Sequence, residues 1–352
     1  MQRAQRKLAH IKYALALEDG PTSTHLADIR FVHNCLPEIS PADIDLSCEI
    51  LGKQLRLPFF IDSITGGAQE VARINRDLAE VASILGCGIA SGSEYGAVHN
   101  EGVDLSSYKI IRETNPCGFV LGNISGQATT SEAQKAIDLL EADALEIHLN
   151  VAQELFMAEG DRDFSKILEN ISAIIKSVSV PVIIKETGCG IAYEEYVRFE
   201  KCGAKFFNCA GAGGTNFIAI EAARTGKDPR DMLAWGHPTC WSLLDAHDVL
   251  QEASVYFASG GIRTGLDIAK AFALGASAIG IAGPILKAVQ AGGVQAGVDY
   301  LQCLANELKN IMTLLNVRKV SELKNVPLMI LGETKDYCVF RNYGLDKLQR
   351  SR

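Results

Sequence analysis

The 352-residue chain lacks the features that mark membrane-spanning, nucleic-acid-binding and disulfide-rich proteins. It has no run of about 18 uninterrupted apolar residues, which excludes an ordinary membrane-spanning helix. Its formal net charge of −8 argues against a nucleic-acid-binding surface. Its 10 cysteines include no C-x-x-C pair, so neither a zinc site nor a disulfide framework is indicated. We therefore expect a protein of a reducing compartment, the cytoplasm, without nucleic-acid or membrane partners.

The first 17 residues are basic and contain no acidic residue. Arg3, Arg6, Lys7 and Lys12 give this segment the charge of a targeting peptide, but it lacks the apolar core of a secretory signal. We favour a functional arm that brings cations to an anionic ligand. On composition alone, Arg6 and Lys7 would be ordinary solvated surface cations.

A hydrophobic content of 47% and a charged content of 22% are typical of a soluble enzyme with a large core. Short apolar runs rich in β-branched residues recur about every 25–45 residues, each followed by an amphipathic stretch, which indicates repeated βα units. The eight predicted strands begin near Phe59, Gly88, Gly118, Ala144, Val182, Lys205, Val255 and Ala278. This succession predicts an α/β fold, a TIM (β/α)8 barrel. Periodicity alone leaves a doubly wound open sheet possible.

The barrel is predicted over residues 58–293 of the chain. Residues 1–57 would form an N-terminal arm and cap of the same domain, with a hairpin around Gly52-Lys53 covering one barrel end. Residues 294–352 would form a C-terminal helix, about 296–316, and a tail. The apolar residues in Tyr337–Phe340 suggest that the tail docks on the barrel or on a neighbouring subunit.

Four polar residues follow the predicted fourth strand within seven positions: His148, Asn150, Gln153 and Glu154. Because the carboxyl ends of barrel strands carry the catalytic loops, this cluster points to a polar ligand. A polar loop whose groups satisfy one another is the alternative interpretation.

Lys185 ends the buried run of the fifth strand. Burying an ammonium group costs desolvation free energy unless a bound anion, or a carboxylate such as that of Glu186, neutralises its charge. Adjacent strand residues point to opposite faces, so a simple Lys185–Glu186 pair is the weaker explanation.

Glycines follow the predicted strands seven and eight, in Ser259-Gly260-Gly261 and Ala282-Gly283. They let backbone N–H groups approach a phosphate at the start of the next helix. One Gly-Gly is as readily a turn or a cap, but two at these exits coincide with the common phosphate site of TIM barrels. A nucleotide-type phosphate implies a flat cofactor across the barrel mouth, within reach of Lys185.

These motifs together resemble the type 2 isopentenyl-diphosphate isomerases, the flavin-dependent enzymes of isoprenoid synthesis. The strand-four and strand-five motifs are the most diagnostic, whereas the glycine motifs are shared with other FMN-binding barrels such as the hydroxy-acid oxidases. In family order, the matching segments are Arg6-Lys7-x-x-His10, Thr65-Gly66-Gly67, Asn123, His148-Leu-Asn150-x-x-Gln153-Glu154, Lys185-Glu186-x-Gly188-x-Gly190, Gly213-Gly214-Thr215, Ser259-Gly260-Gly261-x-Arg263-x-Gly265-x-Asp267 and Ala282-Gly283.

The resemblance implies interconversion of isopentenyl diphosphate and dimethylallyl diphosphate, with FMN, Mg²⁺ and NADPH as the reductant that converts FMN to its working reduced form. Moving the double bond requires a proton delivered to C4 and one removed from C2, without net electron transfer. In the family, reduced flavin is thought to do this acid–base work at N5. The resemblance also implies a homotetramer or a homo-octamer.

Residue roles follow from the same resemblance. The catalytic residues would be Gln153, Lys185 and His148, with Lys185 stabilising anionic flavin and Gln153 bordering the reacting carbons. Substrate binding would fall to Arg6, Lys7, His10, Asn150 and Gln153, and Mg²⁺ binding to Glu154. The FMN-binding residues would be Thr65, Ser93, Asn123, Lys185, Thr215, Ser259, Gly260, Gly261, Arg263, Ala282 and Gly283.

The chain departs from the family pattern at three places, of which the segment after strand two bears on the anion site. The others are Ile64, where the family usually has Met, and Asn123-Ile-Ser125-Gly126, where it commonly has Asn-Ile-Gly. After strand two the family usually has Gly-Ser-Gln-Arg, in which the arginine helps to clamp diphosphate, whereas this chain has Gly92-Ser93-Glu94-Tyr95. A phenol beside a new carboxylate would weaken the anion site by about 1.5–3 kcal/mol.

Two alternative functions stay open on the sequence. An FMN-dependent 2-hydroxy-acid oxidoreductase would share the barrel, but it needs a histidine base at the strand-seven exit, where this chain has none. A flavin-binding paralogue without isomerase activity is supported by Tyr95 and opposed by the presence of Gln153, Glu154 and Lys185.

Overall fold

The structure, a computed structural model, describes residues 2–99, 104–251 and 253–344, with side chains from Gln5 onward. Residues 345–352 of the predicted C-terminal tail lie outside this description. The chain begins with helix α1, Gln2–Ala16, followed by strand β1, Ile29–Phe31, and by strands β2, Cys48–Ile50, and β3, Lys53–Leu55.

Strands β2 and β3 pair antiparallel and confirm the predicted hairpin. Its turn residue Gly52 has φ +80°, a conformation that glycine adopts without strain. Ile50 and Leu55 belong to the same buried apolar cluster as Phe60 and Phe257 of the barrel strands. The hairpin therefore closes one end of the barrel, as predicted.

A closed barrel of eight strands forms the centre of the molecule. Its neighbouring strands are parallel and the last pairs with the first, which excludes an open sheet. The barrel strands are β4 Phe59–Ile61, β5 Gly88–Ala90, β6 Val120–Ser125, β7 Ala144–Leu149, β8 Val182–Glu186, β9 Phe206–Asn208, β10 Val255–Ala258 and β11 Ala278–Ile281. All eight predicted strands are confirmed, although β6 and β9 begin slightly later than expected.

Helices connect the strands around the outside and bury their apolar faces against them. They are α2 Ala72–Leu85, α3 Tyr95–Val98, α4 Ser106–Thr114, α5 Thr130–Leu140, α6 Val151–Phe156, α7 Ile167–Ser177, α8 Tyr193–Lys201, α9 Phe217–Thr225, α10 Thr239–Val249, α11 Gly265–Ala273 and α12 Gly283–Leu315. Strand β12, Leu328–Ile330, and helix α13, Gly332–Arg341, complete the described chain. Within it, no helix combines the length and the apolar character needed to cross a membrane.

Helix α12 is interrupted at Gly292 and Gly293, whose backbone angles are not helical. The part after this break corresponds to the helix predicted over 296–316. Strand β12 then pairs antiparallel with β1, which ties the two ends of the chain together. The predicted division of the chain at residue 293 stays a prediction.

The C-terminal helix α13 is held on the barrel by the fully buried carboxylate of Asp245 in α10. Asp245 accepts hydrogen bonds from the hydroxyl groups of Tyr337 and Tyr343 and from the backbone N–H of Tyr193. His237 Nε2 lies 2.9 Å from the same carboxylate. Within the predicted docking segment Tyr337–Phe340, Tyr337 therefore contacts the barrel.

We predict that Asp245→Ala lowers the free energy of unfolding by about 3 kcal/mol, because it leaves several buried or half-buried donors unpaired. Tyr343→Phe removes one donor and should cost about 1 kcal/mol. Urea unfolding of the purified variants measures both values. Equal, small losses in the two variants would show that Asp245 does not anchor the C-terminal helix.

Candidate active site

One cavity of about 410 Å³ lies at the carboxyl end of the barrel and receives residues from the exits of all eight barrel strands. Its volume is typical of a small-molecule site. Helix α1 contributes Arg6, Lys7 and His10 to its wall. Every site residue predicted from the sequence lines this cavity except Thr65, which is buried between the lining residues Ile64 and Gly66.

The floor of the cavity contains a buried ion pair between Lys185 and Asp62. Lys185 Nζ lies 2.7 Å from both carboxylate oxygens of Asp62. Burial lowers the pKa of Lys185, but the charges of Asp62 and Glu146 outweigh it and the net pKa is raised. The counterion of Lys185 is therefore Asp62, a residue that the sequence pattern did not single out. Glu186 instead accepts hydrogen bonds from the N–H groups of Thr187 and Cys189.

A second buried carboxylate, Glu146, extends this floor. Ser63 donates its hydroxyl to Glu146 Oε2 at 2.6 Å, and Asn208 Nδ2 lies 3.3 Å from both Glu146 and Asp62. Ser259 in turn donates to Asn208 Oδ1 at 2.7 Å. Burial raises the pKa of Glu146, while the positive charge of Lys185 opposes this. The network therefore links the exits of strands β4, β7, β8, β9 and β10.

His148 lies at the edge of the same network and is a neutral imidazole. Burial, together with the charges of Lys7 and Lys185, lowers the pKa of His148 to about 3. Its Nδ1 lies 2.7 Å from Asn123 Oδ1, and the Asn123 amide nitrogen donates to Ser63 and Glu146. In this arrangement Nδ1 carries the proton and Nε2 is left as an acceptor. His148 thus faces the cavity without a charge of its own.

The basic arm is attached to the barrel by Glu221, a fully buried residue of helix α9. His10 Nε2 lies 2.7 Å from Glu221 Oε1, Gln153 Nε2 donates to the same oxygen at 3.3 Å, and Arg224 pairs with the other oxygen. Burial opposes ionisation of Glu221, but these hydrogen bonds hold its pKa below its ordinary value. Burial also lowers the pKa of His10, although the contact with Glu221 opposes this effect.

Arg6 and Lys7 occupy the cavity wall beside this attachment. Arg6 lies 3.7 Å from Glu159, a residue that Arg224 also contacts. Lys7 Nζ lies 3.5 Å from the carbonyl oxygen of Ser93, at the exit of strand β5. The predicted arm is thus folded over the cavity mouth, with its cations on the inner side.

The opposite end of the cavity is a backbone cradle formed by the exits of β9, β10 and β11. Gly260 and Gly261 have φ +94° and +71°, and a Cβ at either would overlap the backbone of Gly211 or Gly213. Helix α12 begins at Gly283 beside this cradle, so its N-terminal N–H groups favour an anion there. The arrangement fits the phosphate of a nucleotide-type cofactor such as FMN.

Arg263 stands at the outer edge of the cradle. Its guanidinium forms a two-point ion pair with Asp19, at 2.6 and 3.1 Å. The neighbouring N–H of Gly20 donates to the carbonyl of Gly214 at 3.0 Å. The segment that follows the arm therefore forms the outer wall of the cradle, and the contact of Arg263 with a flavin phosphate stays a prediction.

Comparison with known proteins gives a consistent assignment. Residues 164–329 match the FMN-dependent dehydrogenase family. The isopentenyl-diphosphate delta-isomerase of Staphylococcus haemolyticus is 41% identical over 324 residues, 92% of each chain. That of a Geobacillus species is 40% identical over 344 residues, 97% of this chain and 98% of the relative. The chain belongs to the isopentenyl-diphosphate delta-isomerase family. The match of residues 164–329 supports the FMN-dependent type, and the predicted resemblance is confirmed.

Solved structures show the same barrel outside the isomerase family. A mandelate oxidase variant superimposes with a TM-score of 0.65 at 17% identity, covering 94% of this chain and 99% of the oxidase. A flavocytochrome b2 variant gives a TM-score of 0.66 at 16% identity, covering 91% of this chain and 82% of that protein. At these identities the similarity shows the fold alone.

Glu154, the predicted Mg²⁺ ligand of this isomerase-family site, is half-buried at the cavity wall. Its oxygens accept hydrogen bonds from Asn150 Nδ2 and from the N–H of Asp161, each at 2.9 Å. The described residues contain no group of three or more His, Cys, Asp or Glu side chains that could hold a metal ion. A single carboxylate fits Mg²⁺ only where substrate phosphates and water complete the octahedron. The Glu154 assignment stays a prediction.

Glu94 corrects one expectation drawn from the sequence. Its carboxyl is fully buried, does not line the cavity, and accepts hydrogen bonds from Ser91 Oγ and the N–H of Asn123 at 2.7 and 2.8 Å. Burial raises the pKa of Glu94 to about 8. A neutral group below the cavity adds no negative charge to the anion site, so only Tyr95 changes the cavity wall.

We predict that the free energy of unfolding falls less steeply with rising pH in Glu94→Gln than in the wild type. The unfolded chain loses this proton near pH 4.3, whereas the folded chain holds it to about pH 8. The free energy of unfolding of the wild type should therefore fall as pH rises between these values, by several kcal/mol at most. The isosteric amide cannot ionise and should flatten this slope.

Urea unfolding at pH 6 and pH 9 measures the effect, with the exposed residue change Glu70→Gln as the charge-matched control. Parallel pH dependences for Glu94→Gln and wild type would contradict a buried, protonated Glu94.

Proposed function

We propose that this protein interconverts isopentenyl diphosphate and dimethylallyl diphosphate, using FMN in its reduced form, Mg²⁺, and NADPH as the reductant. The observation that supports this most directly is the layout of the cavity at the barrel mouth. A phosphate cradle occupies one end, the Lys185–Asp62 pair lies on the floor, and the cations of the arm occupy the other end.

This layout would suit two phosphorylated molecules, one bound at each end of the cavity, whose reacting parts come together at its centre. The cradle around Gly260 and Gly261 would hold the FMN phosphate, and the arm residues Arg6 and Lys7 would hold the substrate diphosphate. Between them, Gln153 lies beside Glu221 and His10. The reacting carbons would lie there, above the floor.

Reduced FMN, when bound, would supply the group that exchanges protons with the substrate carbons. Lys185 provides a fixed positive charge on the floor that stabilises negative charge above it, and Asp62 keeps that ammonium in place. Helix α1 lines the mouth and, with substrate bound, would help to exclude water and protect a cationic centre on the substrate. His148 Nε2 and the Asn150 amide offer hydrogen-bonding groups at the diphosphate end.

We further propose that the protein assembles as a homotetramer or homo-octamer. Val339 and Phe340 support this because they expose 64% and 79% of their surface on helix α13. Light scattering after size-exclusion chromatography gives the mass of the assembly, and a monomer would contradict the proposal.

Anaerobic conversion tests the proposed reaction. The purified protein is mixed with FMN, Mg²⁺, NADPH and isopentenyl diphosphate, and the appearance of dimethylallyl diphosphate is followed by NMR. The proposal predicts product only when FMN is reduced. Flavin binding without product would contradict it, and oxidation of a 2-hydroxy acid by the same sample would identify an oxidoreductase.

We predict that Glu154→Gln removes the Mg²⁺ dependence of the reaction together with most of its activity, because a neutral amide binds this hard cation poorly. Initial rates across a Mg²⁺ titration measure the effect. Glu169→Gln, an exposed change outside the cavity, is the charge-matched control. An unchanged Mg²⁺ response in Glu154→Gln would remove Glu154 from the metal site.

A further inference from the structure

Glu146 is a buried carboxylate that the proposed function does not use. It lies within strand β7, its side chain is fully buried, and it does not line the cavity. Its hydrogen-bonding partners come from three other barrel strands or their exits and are Ser63, Asn123 and Asn208. Burying a carboxylate costs desolvation free energy, so its presence at this position calls for a physical reason.

The hydrogen bonds around Glu146 fit an ionised carboxylate. Its Oε2 accepts the Ser63 hydroxyl at 2.6 Å and the Asn123 amide N–H at 3.0 Å, and Asn208 Nδ2 lies 3.3 Å from Oε1. The Ser63 oxygen also accepts from Asn123 Nδ2 at 2.7 Å, which leaves the hydroxyl hydrogen for Glu146. A protonated carboxyl group would need an acceptor for its own hydrogen, whereas each of these contacts supplies a donor.

The floor of the cavity then carries one ammonium group and two carboxylates. Lys185 Nζ lies 2.7 Å from both oxygens of Asp62, so these two residues form a neutral unit. Burial raises the pKa of Glu146, the charge of Lys185 opposes this, and the charge of Asp62 adds to it. Burial lowers the pKa of Lys185, but both carboxylates raise it. The two carboxylates thus share one ammonium group, and Glu146 leaves the floor with an excess negative charge.

This excess charge acts on whatever lies above the floor. Lys185 and Asp62 line the cavity, so a ligand there meets the ion pair directly. Water does not screen buried charges as it screens exposed ones, so Glu146 also contributes although it does not line the cavity. Reduction adds negative charge to a flavin ring. Lys185 favours that charge, and Glu146 opposes it.

We propose that Glu146 is a positioning residue that offsets the charge of Lys185 and thereby lowers the reduction potential of bound FMN. This inference rests on the proposed function for the presence of FMN. The offset suits a flavin that both gives and takes a proton, because acid–base catalysis is most efficient when the pKa of the group lies near the working pH. Lys185 alone favours the reduced ring as an anion, and Glu146 weakens that preference.

The midpoint potential of the bound FMN tests this inference without turnover. Anaerobic reductive titration of the FMN-loaded protein against a reference dye, followed by visible absorption, gives the potential. Glu146→Gln removes the charge, while the amide oxygen can still accept from Ser63 and Asn123. We expect reduction of the bound FMN to become about tenfold more favourable, which is a midpoint potential about 30 mV higher for a two-electron couple.

Two further variants separate the charge of Glu146 from its shape and from the net charge of the protein. Glu146→Asp keeps the charge but shortens the side chain, so its potential should stay close to that of the wild type. Glu169→Gln, an exposed change outside the cavity, alters the net charge by the same amount and should leave the potential unchanged.

A wild-type potential in Glu146→Gln would overturn the inference, because the flavin would then sense no charge at Glu146. Equal shifts in Glu146→Gln and Glu146→Asp would also overturn it, since they would indicate altered packing. Failure of Glu146→Gln to fold or to bind FMN would contradict it as well, because the carboxylate would then have a structural role.

The same measurement distinguishes this inference from the proposed reaction. If the protein makes no dimethylallyl diphosphate but the potential shifts as expected, the proposed reaction fails and the role of Glu146 stands. If product forms and the potential does not shift, the reaction stands and the role of Glu146 fails. A wild-type protein that binds no FMN would overturn both.

Discussion

Lys185 and Asp62 form a buried ion pair at the centre of the barrel mouth, and the surrounding polar side chains are arranged to satisfy it. Moving two charges out of water carries a large cost, which their attraction offsets only when the remaining hydrogen bonds are also made. Asn208 meets this demand by reaching both Asp62 and Glu146, and Ser259 fixes the Asn208 amide. These hydrogen bonds fix the ammonium group of Lys185 at the barrel mouth.

The two ends of the cavity are held in place by different kinds of contact. The glycine cradle is made of backbone loops packed too closely for side chains, so its shape follows from the closed barrel. The arm is attached by the contact of His10 with Glu221 and by the apolar side chains of Leu8, Ile11 and Leu15, which pack against the core.

Much of the fold could be predicted because it depends on local patterns. Apolar strand runs and glycine-rich strand exits indicate the barrel in the sequence. The polar cluster of residues 148–154 indicates which end of the barrel carries the site, namely the carboxyl end of its strands. Asp62 and Glu146 escaped notice because Asp62 directly follows an apolar strand and Glu146 lies between apolar neighbours within one. Their partners are also distant in the chain: Asp62 and Lys185 are 123 positions apart. An acidic residue within or directly after a buried strand was the available signal.

Glu94 and Glu221 show why burial is hard to predict from residue type. Glu94 follows a strand exit that otherwise faces the cavity, yet its hydrogen bonds to Ser91 and Asn123 turn it below the wall. Glu221 lies in an amphipathic helix, where the sequence pattern predicts a surface position. In the structure, His10 of the arm and Arg224 cover it. Both orientations are set by tertiary contacts that residue spacing does not encode.

A double-mutant cycle on Lys185→Met and Asp62→Asn, measured as free energies of unfolding in urea, tests the dependence of the mouth on this pair most directly. Each single change leaves a buried group without its partner and should cost about 3–5 kcal/mol. The account predicts that the double variant loses clearly less than the sum of the two single losses. Small, additive losses would contradict it and would mean that the mouth is held by the barrel alone.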